Sequence, residues 1–161
     1  MDDLSARNED IRDTVEKYRD SILRFAFTYL KNRAEAEDIA QEVFVAYIEK
    51  TPRIESEEKK KAWLMQVTAN KCRNMLSSVW KKRVTAISDD FAYMPRENAG
   101  LLRYVLTLEK KYRVPIHLYY YEGYSIEEIS RLMQMKAATV GTRLARGRKK
   151  LKDMIGEDFY E

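Results

Sequence analysis

Gln66, Asn70, Arg73, Asn74, Ser77 and Lys81 recur at spacings of three and four, and side chains so spaced share one face of a helix. Amide and guanidinium groups match the donor and acceptor pattern of base edges. The chemistry open to such a face is therefore hydrogen bonding to nucleobases rather than bond-making. A second set lies in the run from Lys136 to Lys152, which carries Lys136, Arg143, Arg146, Arg148, Lys149, Lys150 and Lys152 and no acid. Within that run Thr139, Thr142, Arg143, Arg146 and Lys150 form an outward stripe suited to phosphate. A catalytic centre is harder to assemble. With a lone Cys72 and a lone His117 there is no disulfide framework and no thiol or imidazole metal cluster. A nucleic-acid enzyme would need a carboxylate cluster or a nucleophile with its base; the acids near residue 38 have no His beside them.

Each stripe needs a helix to carry it. Met65, Ala69, Cys72, Leu76 and Val79 repeat on the face opposite the amides, which predicts a helix over about Glu58 to Lys82. The basic run is preceded by Ser125-Ile-Glu-Glu128-Ile-Ser-Arg-Leu-Met133, where Ser125 and Glu128 are spaced as a capping box. Gln134, Met135 and Lys136 leave room only for a tight turn before Ala137 to Ile155. Val140, Leu144 and Leu151 would pack on Ile126, Ile129 and Leu132, giving a helix-turn-helix whose second helix reads duplex DNA.

The remaining elements follow from apolar spacing. Glu9 to Leu30 predicts one helix, buried through Val15, Ile22, Leu23, Phe25, Ala26, Tyr29 and Leu30 and ended by Lys31-Asn32. Ala34 to Lys50 predicts another, with Ala36, Ile39, Ala40, Val43 and Tyr47 inward and Asp38, Gln41, Glu42 and Glu49 outward. Pro52 breaks it. Leu101 to Lys111 and Val114 to Tyr121 are expected to be helical, with Tyr119, Tyr120, Tyr121 and Tyr124 in the core. With 161 residues, 35% charged, five Gly and three Pro, the chain reads as all-α. Two small helical domains, 1–83 and 101–161, are expected on either side of a flexible linker at 84–100, where Ser88-Asp89-Asp90, Pro95 and Gly100 interrupt the pattern.

A net charge of +4 conceals strong segregation. Residues 34 to 49 hold Glu35, Glu37, Asp38, Glu42 and Glu49 and no base, whereas 59 to 85 hold Lys59, Lys60, Lys61, Lys71, Arg73, Lys81, Lys82 and Arg83 and no acid. Blocks of opposite sign imply two partners, one basic and one acidic. No segment has the roughly 20 apolar residues of a bilayer span, so no membrane insertion and a cytoplasmic location are expected.

Three of these segments in order, Ala36-Glu-Asp-Ile-Ala-Gln-Glu-Val-Phe44, Ala62-Trp-Leu64 leading to Asn70, and Tyr124-Ser-Ile-Glu-Glu-Ile-Ser130, resemble a bacterial RNA polymerase sigma factor of the extracytoplasmic-function group in the sigma-70 superfamily. The resemblance runs from about Tyr18 to Leu151. It implies a transcription initiation factor, not an enzyme, that binds core RNA polymerase and directs it to promoter DNA. It implies that Asp38, Gln41 and Glu42 contact the polymerase clamp. The loop from Thr51 and the basic helix would open the minus-ten element, with Lys59, Lys61, Gln66, Asn70, Arg73, Asn74, Lys81 and Arg83 on the melted strand and Trp63 packing rather than stacking. Lys136, Thr139, Thr142, Arg143, Arg146 and Lys150 would meet the minus-35 duplex. An anti-sigma protein is an implied partner; no cofactor, metal or small-molecule substrate is implied. Ser88, Asp89 and Asp90 would thread toward the RNA channel or serve as a solvated tether. The recognition helix departs from the family's usual run: Gly141 and Ala145 stand where longer base-reading side chains are common, so that either direct readout rests on Thr142, Arg143 and Arg146 or the helix sits closer to the DNA. A helix-turn-helix regulator acting on an operator without polymerase is the rival reading. It would usually dimerise, but the sequence has no obvious dimer seam, and this reading leaves the 34–49 and 59–83 blocks unexplained.

Overall fold

In the computed structural model, which describes residues 2–50, 52–79 and 99–160, seven helices follow one another: α1 Asp2–Leu30, α2 Arg33–Lys50, α3 Glu57–Val79, α4 Ala99–Thr107, α5 Lys110–Tyr120, α6 Ile126–Met133 and α7 Ala137–Tyr160. There is no strand among the described residues. The chain divides into two compact units, Met1–Ala86 and Ile87–Glu161.

In the first unit α1, α2 and α3 each pack on the other two. The expected inward faces of α1 and α2 are found, with Ile22, Phe25, Ala26, Ala36, Ile39 and Val43 all essentially inaccessible, except at Val15, which is half-exposed. On α3 the buried face is wider than the Met65–Ala69–Cys72 stripe, because Leu64 and Thr68 are inaccessible as well. Leu76, expected to be buried, is half-exposed near the end of the helix. The first helix starts seven residues before the expected Glu9. Those extra turns have partners, since the Arg7 guanidinium donates to the Ile48 carbonyl at 2.8 Å near the end of α2.

The turn between α1 and α2 corrects a second expectation. Lys31, not Asn32, takes the left-handed conformation, with φ 57°. Asn32 instead caps the next helix, its Oδ1 accepting from the Glu35 N–H at 3.0 Å, the usual reward for Asn before a first helical turn. Ser56 does the same for α3, accepting from Lys59 N–H at 3.2 Å.

In the second unit α5 and α6 both pack on α7, and α4 closes the other side. The break between the first two helices falls at Leu108-Glu109 rather than around Arg113. Pro115 sits inside α5, where it removes one backbone donor but leaves the helix continuous. Arg113, buried, turns back to donate to the Leu108 carbonyl at 2.9 Å and so satisfies the end of α4. The capping box of α6 is complete: Ser125 Oγ accepts from Glu128 N–H at 3.1 Å and Ser125 N–H donates to Glu128 Oε1 at 3.0 Å. Gln134 closes that helix in the left-handed conformation, and Ser130 Oγ donates to the Met135 carbonyl at 2.6 Å, tying the turn. Val140, Leu144 and Leu151 are buried with Ile129 and Leu132, but Ile126, expected in that core, is exposed. At its start, α6 turns its first side chain past the wedge.

Candidate nucleic-acid interface

On α3 the amide stripe lies opposite the buried face. Gln66, Asn70 and Arg73 are half-exposed and Asn74 is exposed. They are not independent side chains: Gln66 Nε2 donates to Asn70 Oδ1 at 3.2 Å, and the Arg73 guanidinium donates to the same oxygen. The Asn70 side chain is thus held through its carbonyl oxygen by two neighbours on the same face, which leaves its amide nitrogen as the donor not used in this network. Lys59 is exposed and Lys61 half-exposed at the start of the helix. Lys81 and Arg83, with the whole stretch 80–98 and Thr51, lie outside the described residues. Trp63 is half-buried, its ring edge-on to Tyr47 at 5.9 Å, which makes it a packing residue in this structure.

Lys60, read from sequence as part of the basic block, belongs to the interior. Its side chain is 11% exposed, and its ammonium lies 2.8 Å from Asp10 Oδ1, 3.3 Å from Thr14 Oγ1 and 3.4 Å from Glu57 Oε1. Tyr47 Oη donates to the other Asp10 oxygen at 2.5 Å, and Tyr18 Oη donates to Glu57 Oε2 at 2.5 Å. Burial alone would lower the Lys60 pKa, but hydrogen bonding to Asp10, with the charges of Tyr47, Asp10 and Glu57, more than reverses this and raises it. Asp10 is lowered in turn, first by Lys60 and then by Tyr47, and burial pushes Tyr18 up to about 12 with help from Glu57. The hub pins the first turn of α3 to α1 and α2. Nothing in the local pattern around Lys60 signals this, since its partner Asp10 is 50 positions away.

The acidic face of α2 is fully outward: Asp38, Gln41, Glu42 and Glu49 are exposed. Sequence reasoning missed its apolar component. Val45 and Ile48 share that face and are 50% and 44% exposed, and beside them an open groove of about 500 Å³ runs between α1 and α2 over Leu23 and Phe44. The signal was present, because an apolar side chain at 45 completes the spacing of 38, 41, 42 and 49.

In the second unit Lys136, Thr142, Arg146 and Lys150 are exposed, while Thr139 and Arg143 are half-exposed. The stripe therefore lies outward as its spacing predicted. Thr142 Oγ1 donates to the Ala138 carbonyl at 3.0 Å, which commits its one proton. Gly141 has open space where a Cβ would sit, whereas at Gly147 a Cβ would meet Ile116 at 3.0 and 3.1 Å. Tyr119 and Tyr120, expected in the core, are exposed on the last turn of α5, and Arg148 donates to Tyr120 Oη at 3.1 Å. Tyr121 and Tyr124 are half-buried. His117 is inaccessible, stacked on Tyr121 at 5.7 Å with Glu122 Oε1 3.4 Å from its Nε2. No group of three or more potential metal ligands occurs among the described residues.

Comparison with known proteins follows the same division. Residues 14–82 match the Sigma-70 region 2 family and residues 99–151 match Sigma-70, region 4. The chain is 32% identical over 155 residues to the ECF RNA polymerase sigma factor SigM of Bacillus subtilis, covering 88% of this chain and 93% of that protein. The chain is an extracytoplasmic-function sigma-70 factor. It is also 26% identical to SigW of Bacillus subtilis, covering 89% of this chain and 87% of that one, and 26% identical to SigE of Mycolicibacterium smegmatis, covering 91% of this chain but spanning only 62% of that relative's length. Among solved structures, the sigma factor RpoE crystallised with the anti-sigma factor NepR from Bartonella quintana superimposes with a TM-score of 0.69 at 20% identity, over 92% of this chain and 98% of that one, which supports the fold. A sigma factor binds core RNA polymerase and directs initiation at specific promoters.

Proposed function

We propose that this sigma factor divides promoter recognition among three helices. The acidic and apolar face of α2, with Asp38, Gln41 and Glu42 around Val45, docks core RNA polymerase, where it meets a basic surface. The α3 stripe, from Lys59 and Lys61 through Gln66, Asn70, Arg73 and Asn74 to Lys81 and Arg83, captures the melted minus-ten strand. Extruding a base costs a few kcal/mol of stacking and pairing, and contacts from this stripe, with the Asn70 amide already held by Gln66 and Arg73, offset part of it. The α7 stripe, with Lys136, Thr139, Thr142, Arg143, Arg146 and Lys150, meets the minus-35 duplex. Residues 1–83 and 101–161 are the two functional domains and 84–100 their linker. The site of action is the cytoplasm, polymerase performs the bond-making, and an anti-sigma protein covering these faces is the expected regulator.

The observation that carries this reading is the Gln66–Asn70–Arg73 network on the outward face of α3. Run-off transcription with bacterial core polymerase on a promoter library tests it. Asp38→Arg/Glu42→Arg is expected to abolish promoter-specific transcripts by blocking assembly, and Asn70→Ala/Asn74→Ala to leave assembly intact while losing minus-ten selectivity. Duplex binding with no polymerase-dependent initiation from any promoter would favour an operator-binding regulator instead.

A further inference from the structure

The outward stripe of α7 does not stand alone, because the first turn of α5 comes up beside it. Between them lies an open concavity of about 360 Å³, lined by Lys111 and Tyr112 from α5 and by Thr139, Arg143 and Arg146 from α7. Its lining holds three cations and no carboxylate. We propose that this concavity is the seat of one DNA backbone phosphodiester, held by Lys111 of α5 together with Arg143 and Arg146 of α7. The proposal rests on the reading that α7 meets duplex DNA, and it adds a residue outside the helix-turn-helix to that contact.

Four features favour an anionic occupant. The Lys111 ammonium lies 5.1 Å from the centroid of the Tyr112 ring, and Lys150 lies 5.5 Å from the same ring, so one buried aromatic of the lining sits against two cations, of which Lys111 also lines the concavity. The nearest carboxylate to Lys111 is Glu109, at 3.7 Å, and both side chains are at least half exposed; such a pair is weak and yields readily to a phosphate. Lys110, next in chain, is lowered mainly by burial, with a further contribution from the positive charges of Arg113 and Arg143. Finally, at 100° per residue the ridge of α7 farthest from Val140, Leu144 and Leu151 within residues 138–149 is Ala138, Thr142, Arg146 and Lys149. Arg143 lies on its shoulder toward α5, and Arg146 borders the concavity from the ridge itself. A helix that enters the major groove ridge-first carries its shoulders to the flanking backbone, so Arg143 is a phosphate ligand and not the base reader that its sequence position suggests.

The decisive measurement is binding of the complex with core polymerase to promoter fragments carrying one neutral methylphosphonate linkage, moved stepwise along the minus-35 backbone. The wild type is expected to lose affinity, by about threefold for one lost phosphate contact, at one linkage, and Lys111→Gln to lose less at that same linkage, where only Arg143 and Arg146 remain to sense it. Lys111→Gln should weaken binding equally on cognate and scrambled minus-35 sequences and reduce the salt slope by about one, and Lys111→Arg should restore both. Wild-type affinity and slope in Lys111→Gln, or undiminished sensitivity to every linkage that the wild type senses, overturns the seat and leaves duplex recognition by α7 standing. A wild-type complex indifferent to the minus-35 duplex altogether sinks both.

Discussion

The helices α3 and α7 both turn a polar face outward, but the two units hold them by different means. The first turn of α3 is fastened by charge: Lys60 reaches Asp10 on α1, and Tyr47 on α2 completes the link. The α7 helix is fastened by shape, with Val140 and Leu144 in an apolar wedge against Ile129 and Leu132 and with Gly147 allowing α5 to approach at Ile116. A polar hub depends on protonation state and on every partner being present, whereas a packed wedge depends on volume. The two units should therefore fail under different perturbations.

Tryptophan separates them experimentally, since Trp63 and Trp80 both precede residue 87. The largest effect is expected from Ile129→Ala, which opens a cavity in the wedge and should cost about 2–5 kcal/mol; circular dichroism would show an early transition that tryptophan fluorescence does not follow. Asp10→Asn should cost about 1–3 kcal/mol by weakening a charge-assisted contact to a buried ammonium, and here fluorescence must report the loss. The pH dependence follows from the lowered Asp10: its contribution is complete above its ordinary value of 3.8 and is lost as pH falls through the lower folded value. Acid titration followed by fluorescence should show this limb in the wild type and a shallower one in Asp10→Asn. Equal acid sensitivity of the two proteins would end the claim that the hub holds α3. Ser125→Ala should cost about 1 kcal/mol of the second unit by removing one side of the capping box. The smallest pair is the most discriminating between shape and propensity. Gly141→Ala should add up to about 1 kcal/mol of stability, while Gly147→Ala should lose about as much net, because overpacking against the buried Ile116 side chain exceeds the helix gain. Thermal melts of the two variants that move in the same direction would contradict the close-packing account.

What was legible in the sequence was what repeats within a few turns. The buried faces of α1 and α2, the outward acids at 38, 41, 42 and 49, the α7 stripe and the Ser125–Glu128 box all arise from contacts no more than a few residues apart. Lys60 was counted only as one cation of the basic 59–85 block, because its partners Asp10 and Thr14 lie 50 and 46 positions away, and no periodicity encodes such a pairing. Local chemistry could also mislead. Asn32 is a good residue for a left-handed turn and a better one for a helix start, and the neighbouring Lys31 bears the unusual backbone angle instead. Tyr119 and Tyr120 are large enough for a core but follow Leu118 onto the open side of α5. On the candidate interface, the amide residues were identifiable, while the hydrogen bonds that orient Asn70 and the placement of Lys111 beside Arg143 required the fold.

Cys72 gives this architecture a chemical readout. It is the single thiol of the chain, it is inaccessible in α3, and burial pushes its pKa up to about 12, so in the folded state it is neither reachable nor ionised. A thiol reagent can modify it only when α3 lifts from α1 and α2. The alkylation rate therefore times the opening of the first unit, without ambiguity of site because no second sulfhydryl competes for the label.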